Sequence, residues 1–135
     1  MLYYYKIALQ GGGILKIQES AENYLEAILM IKNSKGSVRS IDIVNTLDFS
    51  KPSVSVAMKN LRKNGYIEMD NDGYISLLPP GLEIAERMYE RHRLISRWLI
   101  SLGVNEKTAV RDACRMEHVI SAETFEAMKK VMGNT

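Results

Sequence analysis

Three side chains in the C-terminal part of the chain have the types and spacing of a metal site. Cys114, Glu117 and His118 stand at positions i, i+3 and i+4, which places them on one face of a helix. A thiolate, a carboxylate and an imidazole are all good ligands for a divalent first-row transition metal. The spacing therefore predicts a metal centre on this helix.

Further candidate ligands lie elsewhere in the chain. Asn23 and Glu26 share one face of a predicted helix, and His92 lies on the otherwise apolar face of another. Each also has a simpler interpretation. A lone cysteine often packs as a small apolar residue, a Glu-His pair is often ordinary surface, and a histidine on an apolar face is often a hydrogen-bonded core residue. A cluster drawn from three helices could enclose one or two ions.

The first half of the chain is predicted to form three helices and a β-hairpin. Apolar residues recur at helical spacing, Ser20 and Ser40 are the expected N-caps, and Pro52 suits a first helical turn. Two β-prone runs then flank an Asp-Gly turn. This order predicts a winged helix-turn-helix with a hairpin as its wing. The elements are expected at residues 20–33, 40–47, 52–63, 66–69 and 74–77.

The second half is predicted to be helical. Pro79-Pro80-Gly81 marks a boundary, and Ser121 is the expected cap of the last helix. The expected helices cover residues 82–102, 106–118 and 121–131. The chain is therefore mostly α, with domains predicted at 15–78 and 79–135.

The first 14 residues do not fit this pattern. They are rich in tyrosine, end in a glycine run and show no hydrophobic period. Two interpretations stay open: a non-native extension, with the natural start near Leu15, or a genuine flexible arm. The intact mass of natively expressed protein would distinguish them.

The third helix has the character of a DNA-recognition helix. Its start is small and polar, which allows close approach to the duplex, and its basic residues suit phosphate contacts. A solvated basic surface is the simpler interpretation of each charge alone. The candidate DNA-binding residues are Arg39, Ser50, Lys51, Pro52, Ser53, Ser55, Lys59 and Arg62.

Composition sets broad limits on the class of protein. Of 135 residues 46% are hydrophobic, and the net charge is only +2, so any basic surface must come from local clustering. The single cysteine excludes an internal disulfide, and no apolar run is long enough to cross a membrane. We therefore expect a cytoplasmic protein without a membrane partner.

Four segments resemble the diphtheria-toxin-repressor and manganese-transport-regulator family of metal-dependent repressors. They lie at residues 21–26, 50–55, 91–94 and, most specifically, 112–121. The resemblance covers about residues 19–130 and implies a winged helix followed by an α-helical dimerisation domain, in a short two-domain type. It implies Cys114, Glu117, His118 and His92 as ligands, Glu26 as a ligand of the manganese branch, and base contacts by Ser50 and Pro52.

Three positions depart from the family pattern. Asn23 occupies a slot held by methionine in the iron branch and aspartate in the manganese branch, and it can ligate only as a neutral amide. Ser96 and Val110 replace ligands of the iron branch's ancillary site, which therefore cannot form in its usual way. Either Glu26 and His92 build a second site, or there is one site only.

The resemblance also implies partners and an effector. Cys114 argues for Fe(II) because thiolate is softer than Mn(II) prefers, whereas Glu26 argues for Mn(II). Fe(II) is slightly favoured, and Zn(II) is expected to bind in vitro. The DNA partner is a pseudo-palindromic double-stranded operator bound by a homodimer, with metal-uptake genes as targets.

Three other functions compete with a metal-dependent repressor. A winged-helix regulator without metal would bind DNA despite chelators. A thiol enzyme would use Cys114 as nucleophile and His118 as base, but the sequence offers no orienting third group or oxyanion hole. A structural winged-helix adaptor would have no operator. We therefore predict that the chain is not an enzyme.

Overall fold

The computed structural model describes residues 17–132, so the predicted extension at residues 1–14 lies outside the described residues. Within this range the chain forms six helices and one antiparallel hairpin, which confirms the predicted fold class. The described residues divide into two compact units, the N-terminal unit (17–87) and the C-terminal unit (88–132), whose boundary lies inside a helix. The elements are α1 (Ile17–Lys35), α2 (Ser40–Leu47), α3 (Lys51–Lys63), β1 (Ile67–Met69), β2 (Ile75–Leu77), α4 (Pro79–Ser101), α5 (Glu106–Val119) and α6 (Ala122–Met132).

The N-terminal unit is built around the apolar face of α3. This helix packs against α1, α2 and β1, and α1 also contacts α2 and β2. Val54, Met58 and Leu61 stand at i, i+4 and i+7 and are all buried, as the periodicity of α3 predicts. The opposite side of α3 is exposed along its length. The core thus fixes which face of α3 is presented to a partner.

The hairpin is shaped by its turn. The Asp70 side chain accepts a hydrogen bond from the backbone N–H of Tyr74 at 2.9 Å. Gly73 has a φ of 86°, in the left-handed region that favours glycine. On the two strands, Ile67 and Ile75 are buried. These contacts confirm the predicted wing and attach it to the core of the N-terminal unit.

Two predicted helix caps are wrong. α1 begins at Ile17, so Ser20 lies inside the helix rather than at its cap. α2 is capped by Arg39, whose backbone N–H donates to the Asp42 carboxylate at 2.9 Å. A carboxylate in the first turn satisfies a terminal N–H and interacts favourably with the helix dipole. Ser40 is therefore the first helical residue and not the cap.

The first turn of α4 lies directly against the backbone that precedes β1. Pro79, Pro80 and Gly81, which the sequence assigns to a boundary, form this turn because a proline there has no N–H to leave unsatisfied. The Leu78 N–H donates to the Tyr66 carbonyl at 3.0 Å. A Cβ on Gly81 would lie 2.2 Å from the same oxygen. The close approach therefore requires glycine.

We expect Gly81→Ala to lower the free energy of unfolding by about 1–3 kcal/mol, because the added methyl must displace backbone atoms. Urea unfolding followed by circular dichroism measures this change. Glu83→Ala, at an exposed position of the same helix, is the control and should alter stability by less than about 0.5 kcal/mol. Equal stability of Gly81→Ala and the wild type would contradict the close approach.

The C-terminal unit has its own core, formed by α4, α5 and α6. Ile95, Ala113, Phe125 and Met132 form a buried cluster with partly buried apolar neighbours around it. The Ser121 hydroxyl accepts the backbone N–H of Thr124 at 3.1 Å, which confirms the predicted cap of α6. This packing holds α5, the helix with the candidate ligands, against the second half of α4.

Candidate metal centre and nucleic-acid interface

The Glu117 carboxylate lies between two imidazoles in the C-terminal unit. Its Oε2 is 3.1 Å from Nδ1 of His92, and its Oε1 is 3.2 Å from Nε2 of His118. Glu117 and His92 are fully buried. Since a buried carboxylate is costly unless its charge is compensated, this arrangement is well suited to a bound cation.

The thiol of Cys114 belongs to the same group of donors. Ligand atoms of Cys114, Glu117 and His118 all lie within 4.8 Å of one another. They share one face of α5, as their spacing predicts, and Cys114 is only 2% exposed. The donor set of one thiol, one carboxylate and two imidazoles fits a divalent first-row ion. Their role as ligands remains a prediction.

His92 has the protonation state that a metal ligand requires. Burial, reinforced by the charge of His118, lowers the pKa of His92 to about 4. The ring is therefore neutral at neutral pH. In the tautomer that donates from Nδ1 to Glu117, the lone pair is on Nε2, which is the arrangement by which a carboxylate orients a ligating histidine.

Arg91 holds the ligand-bearing end of α5, a role that the sequence reasoning missed. Its Nη1 donates to the carbonyls of Glu117 at 2.9 Å and Ile120 at 3.0 Å. Its guanidinium also lies 5.2 Å from the centroid of the Phe125 ring. The one available signal was its place beside His92 in the Arg-His-Arg run, which does not reveal its partners.

The two other predicted ligands lie on α1, in the N-terminal unit. Asn23 is 2% exposed and Glu26 is fully buried. Burial of an amide and a carboxylate on one helix indicates a specific role for this face. That the role is ligation remains a prediction.

The two substituted positions of the family's ancillary site contain no strong metal donor. Ser96 is buried, and its hydroxyl donates to the Arg93 carbonyl at 3.2 Å. Val110 is buried and apolar. Both observations agree with the expectation that this site cannot form here in its usual way.

Seven of the eight predicted DNA-binding residues lie on α3 or at its N-cap, and the eighth, Arg39, is the N-cap of α2. α3 contains four basic residues and no acidic one, so its exposed face carries positive charge. That they bind DNA remains a prediction for each residue. All eight candidates are exposed: Arg39, Ser50, Lys51, Pro52, Ser53, Ser55, Lys59 and Arg62.

Two of these candidates also have structural roles. Ser50 is the N-cap of α3, and its hydroxyl accepts the Ser53 N–H at 3.2 Å. The guanidinium of Arg39 lies 5.3 Å from the centroid of the Tyr74 ring, on the wing. Arg39 therefore joins the start of α2 to the hairpin and places a positive charge beside the wing.

Two family models match the chain. Residues 16–75 match the model described as "Iron dependent repressor, N-terminal DNA binding domain". Residues 79–135 match "Iron dependent repressor, metal binding and dimerisation domain". The chain belongs to the iron-dependent repressor family. As a member of this family it is a metal-dependent transcriptional regulator that binds DNA and dimerises, not an enzyme.

Curated relatives match most of this chain. A transcriptional regulator of the helix-turn-helix type from Methanocaldococcus jannaschii is 32% identical over 118 residues, which are 86% of this chain and 94% of the relative. The transcriptional regulator MntR of Salmonella typhimurium is 34% identical over 110 residues, 82% of this chain and 70% of the relative.

Solved structures share the fold. The metal-dependent transcriptional regulator MtsR superposes with a TM-score of 0.76 at 26% identity and is matched over 84% of this chain and 53% of its own. The manganese regulator SloR, at 24% identity and a TM-score of 0.74, shows the fold alone and is matched over 85% and 54%. The chain thus spans about half the length of these two structures.

The helices were compared with the requirements for spanning a membrane. Among residues 17–132 no helix has both the length and the apolar character that crossing a bilayer requires.

Proposed function

We propose that Fe(II) or Mn(II) activates this repressor for operator binding, with Cys114, Glu117, His118 and His92 among its ligands. The observation that supports this most strongly is the fully buried Glu117 carboxylate between two imidazoles. The Cys114 thiol lies in the same cluster. A bound divalent ion would supply the positive charge that offsets this buried carboxylate.

Asn23 and Glu26 are proposed as the ligands that α1 contributes. The support is the sequence resemblance together with the burial of both side chains. α1 packs directly against α2 and α3, so a restraint on α1 acts on the helix-turn-helix itself. Ligation through Asn23 and Glu26 would make the position of the recognition helix depend on metal.

The proposed mechanism is a coupling between metal and DNA. In the dimer, the spacing of the two α3 helices must match successive major grooves, about one helical turn apart. When bound metal restrains α1, the two α3 helices of the dimer sample fewer spacings. A larger fraction of the protein then has the spacing that fits the operator, so operator affinity rises. Because such coupling is reciprocal, operator DNA must raise metal affinity by the same factor.

The donor set supports Fe(II) slightly over Mn(II). The Cys114 thiolate is softer than Mn(II) prefers, whereas the Glu26 carboxylate suits Mn(II). Zn(II), for which thiolate and imidazole are good ligands, is expected to bind in vitro. The physiological ion is thus proposed to be Fe(II), with Mn(II) as the alternative.

The remaining parts of the proposal concern partners and location. A two-fold dimer implies a pseudo-palindromic operator. The C-terminal unit carries exposed apolar side chains at Ile100, Leu102, Val119 and Val131, which support a dimer interface there. We propose metal-uptake genes as targets and the cytoplasm as location, on the family resemblance and the single buried cysteine.

Fluorescence anisotropy under anaerobic conditions tests the proposal. The DNA is taken from upstream of the protein's own gene and of neighbouring transporter genes, and binding is compared with chelator, Mn(II) and Fe(II). Tight binding with metal alone is expected. Tight binding despite chelator would favour the alternative of a regulator that does not depend on metal. Asn23, Ser96 and Val110 would then be signs of a metal site that has been lost.

Cys114→Ser is expected to change metal preference rather than abolish metal binding. A hydroxyl replaces the soft thiolate, so affinity for Fe(II) and Zn(II) should fall more than affinity for Mn(II). Competition with a fluorescent chelator, performed anaerobically, gives all three affinities. An unchanged order of affinities would contradict ligation by the Cys114 sulfur.

A further inference from the structure

Val56 is an exposed apolar residue on an otherwise polar and basic helix face. It is 60% exposed, and throughout α3 no other large hydrophobic side chain is exposed. At 100° per residue, Val56 lies about opposite the buried row of Val54, Met58 and Leu61. It therefore stands near the middle of the outward face of α3. The sequence predicts polar and basic contacts on this face, and its pattern did not single out Val56.

The neighbours of Val56 on this face are suited to a DNA duplex. Pro52 lies one turn before it and Lys59 about one turn after it, and both are exposed. Lys63 continues the same face and is exposed too. A protein partner or an apolar core would not favour this concentration of positive charge around one valine, whereas phosphates on both sides of a groove would.

The chemistry of the major groove offers one apolar group to such a side chain. The base edges in this groove present hydrogen-bond donors and acceptors, and the one apolar group among them is the 5-methyl group of thymine. A valine can neither donate nor accept a hydrogen bond, so its favourable contact in the groove is with this methyl. Serine and lysine side chains on the same face can bond the other base edges and the phosphates.

We propose that Val56 contacts the 5-methyl group of a thymine in each operator half-site and thereby helps to determine which sequence is bound. This inference rests on the proposed function as a DNA-binding repressor. Val56 then discriminates between bases, whereas the three lysines and the one arginine of α3 supply affinity for any sequence.

Uracil substitution in selected duplexes tests the contact. Duplexes that bind the wild-type protein in the presence of Mn(II) are first enriched from a random-sequence pool. Each thymine of the enriched site is then replaced by uracil, which lacks only the methyl, and affinity is measured by anisotropy. At one thymine per half-site, uracil should weaken wild-type binding by about fourfold, the loss expected for one buried methyl.

The Val56→Ala variant should bind the thymine duplex more weakly and show no further loss with uracil at that position. Ile41→Ala, which shortens an exposed aliphatic side chain on α2, is the control and should keep the wild-type sensitivity to uracil. Equal sensitivity of Val56→Ala and the wild type at every thymine would overturn the inference. Failure to enrich any duplex would overturn the proposed function as well, so the two failures are distinguishable.

Discussion

Replacing Glu117 by glutamine is expected to abolish the response of DNA binding to metal. The carboxylate is fully buried between the imidazoles of His92 and His118, so its charge is the largest local attraction for a cation. Glutamine has nearly the same shape and can still form a hydrogen bond to the His92 ring, so the fold should persist. The change therefore removes the charge rather than the packing. We expect metal affinity to fall by at least about 100-fold, because the loss of a direct ligand should exceed the ~10–100-fold loss that follows when a residue that only orients a ligand is changed.

Two measurements separate this effect from general damage. Anisotropy at an Mn(II) concentration that just saturates the wild-type protein should give the variant the operator affinity of the chelator-treated wild type, which removes a coupling of about 5–150-fold. Asp112→Asn removes one exposed carboxylate from the same helix and should keep the full metal response. If Glu117→Gln and His118→Ala both respond to metal as the wild type does, the assignment of the metal centre is wrong.

Removing two positive charges from α3 should greatly reduce the salt dependence of DNA binding. The change is Lys59→Gln combined with Arg62→Gln, which removes four charges from a dimer. Each phosphate contact contributes about 0.9 to the slope of log affinity against log salt, so the slope should fall by about 3.6. Anisotropy titrations between low and physiological salt measure it. Operator preference should change little, since phosphate contacts carry no sequence information.

A double variant away from α3 controls for net charge. Lys32→Gln with Lys107→Gln removes the same number of exposed charges from α1 and α5. Its slope of log affinity against log salt should match that of the wild type within about one unit. The reason is that salt largely screens a charge that lies more than about 10 Å from the nearest phosphate. Equal slopes for the two double variants would show that the exposed face of α3 is not the DNA-binding surface.

The fold could be predicted from the sequence because its local signals agree. The i, i+4, i+7 row of α3 and the Asp-Gly turn of the hairpin each indicate one structure, and the structure contains both. The spacing of Cys114, Glu117 and His118 also settles that these side chains share a face, since this follows from helix geometry alone.

The rest depends on contacts between elements, which spacing does not encode. Spacing alone does not show that His92, on α4, reaches the Glu117 carboxylate on α5, and only the family resemblance placed the two in one ligand set. Neither spacing nor the resemblance showed that Arg91 reaches the carbonyls at the end of α5. The cap of α2 was missed for a similar reason. A serine at its expected place suggested a hydroxyl cap, and the Asp42 carboxylate supplied the acceptor instead.

The capping role of the Ser50 hydroxyl limits which substitutions can change operator recognition during evolution. Because this oxygen caps α3, replacing Ser50 to gain a new base contact also removes a cap that stabilises the helix by about 1 kcal/mol. Val56 caps nothing and is largely exposed, so most side chains fit there without loss of stability. Lineages that acquire new target promoters should therefore vary at Val56 well before they vary at Ser50.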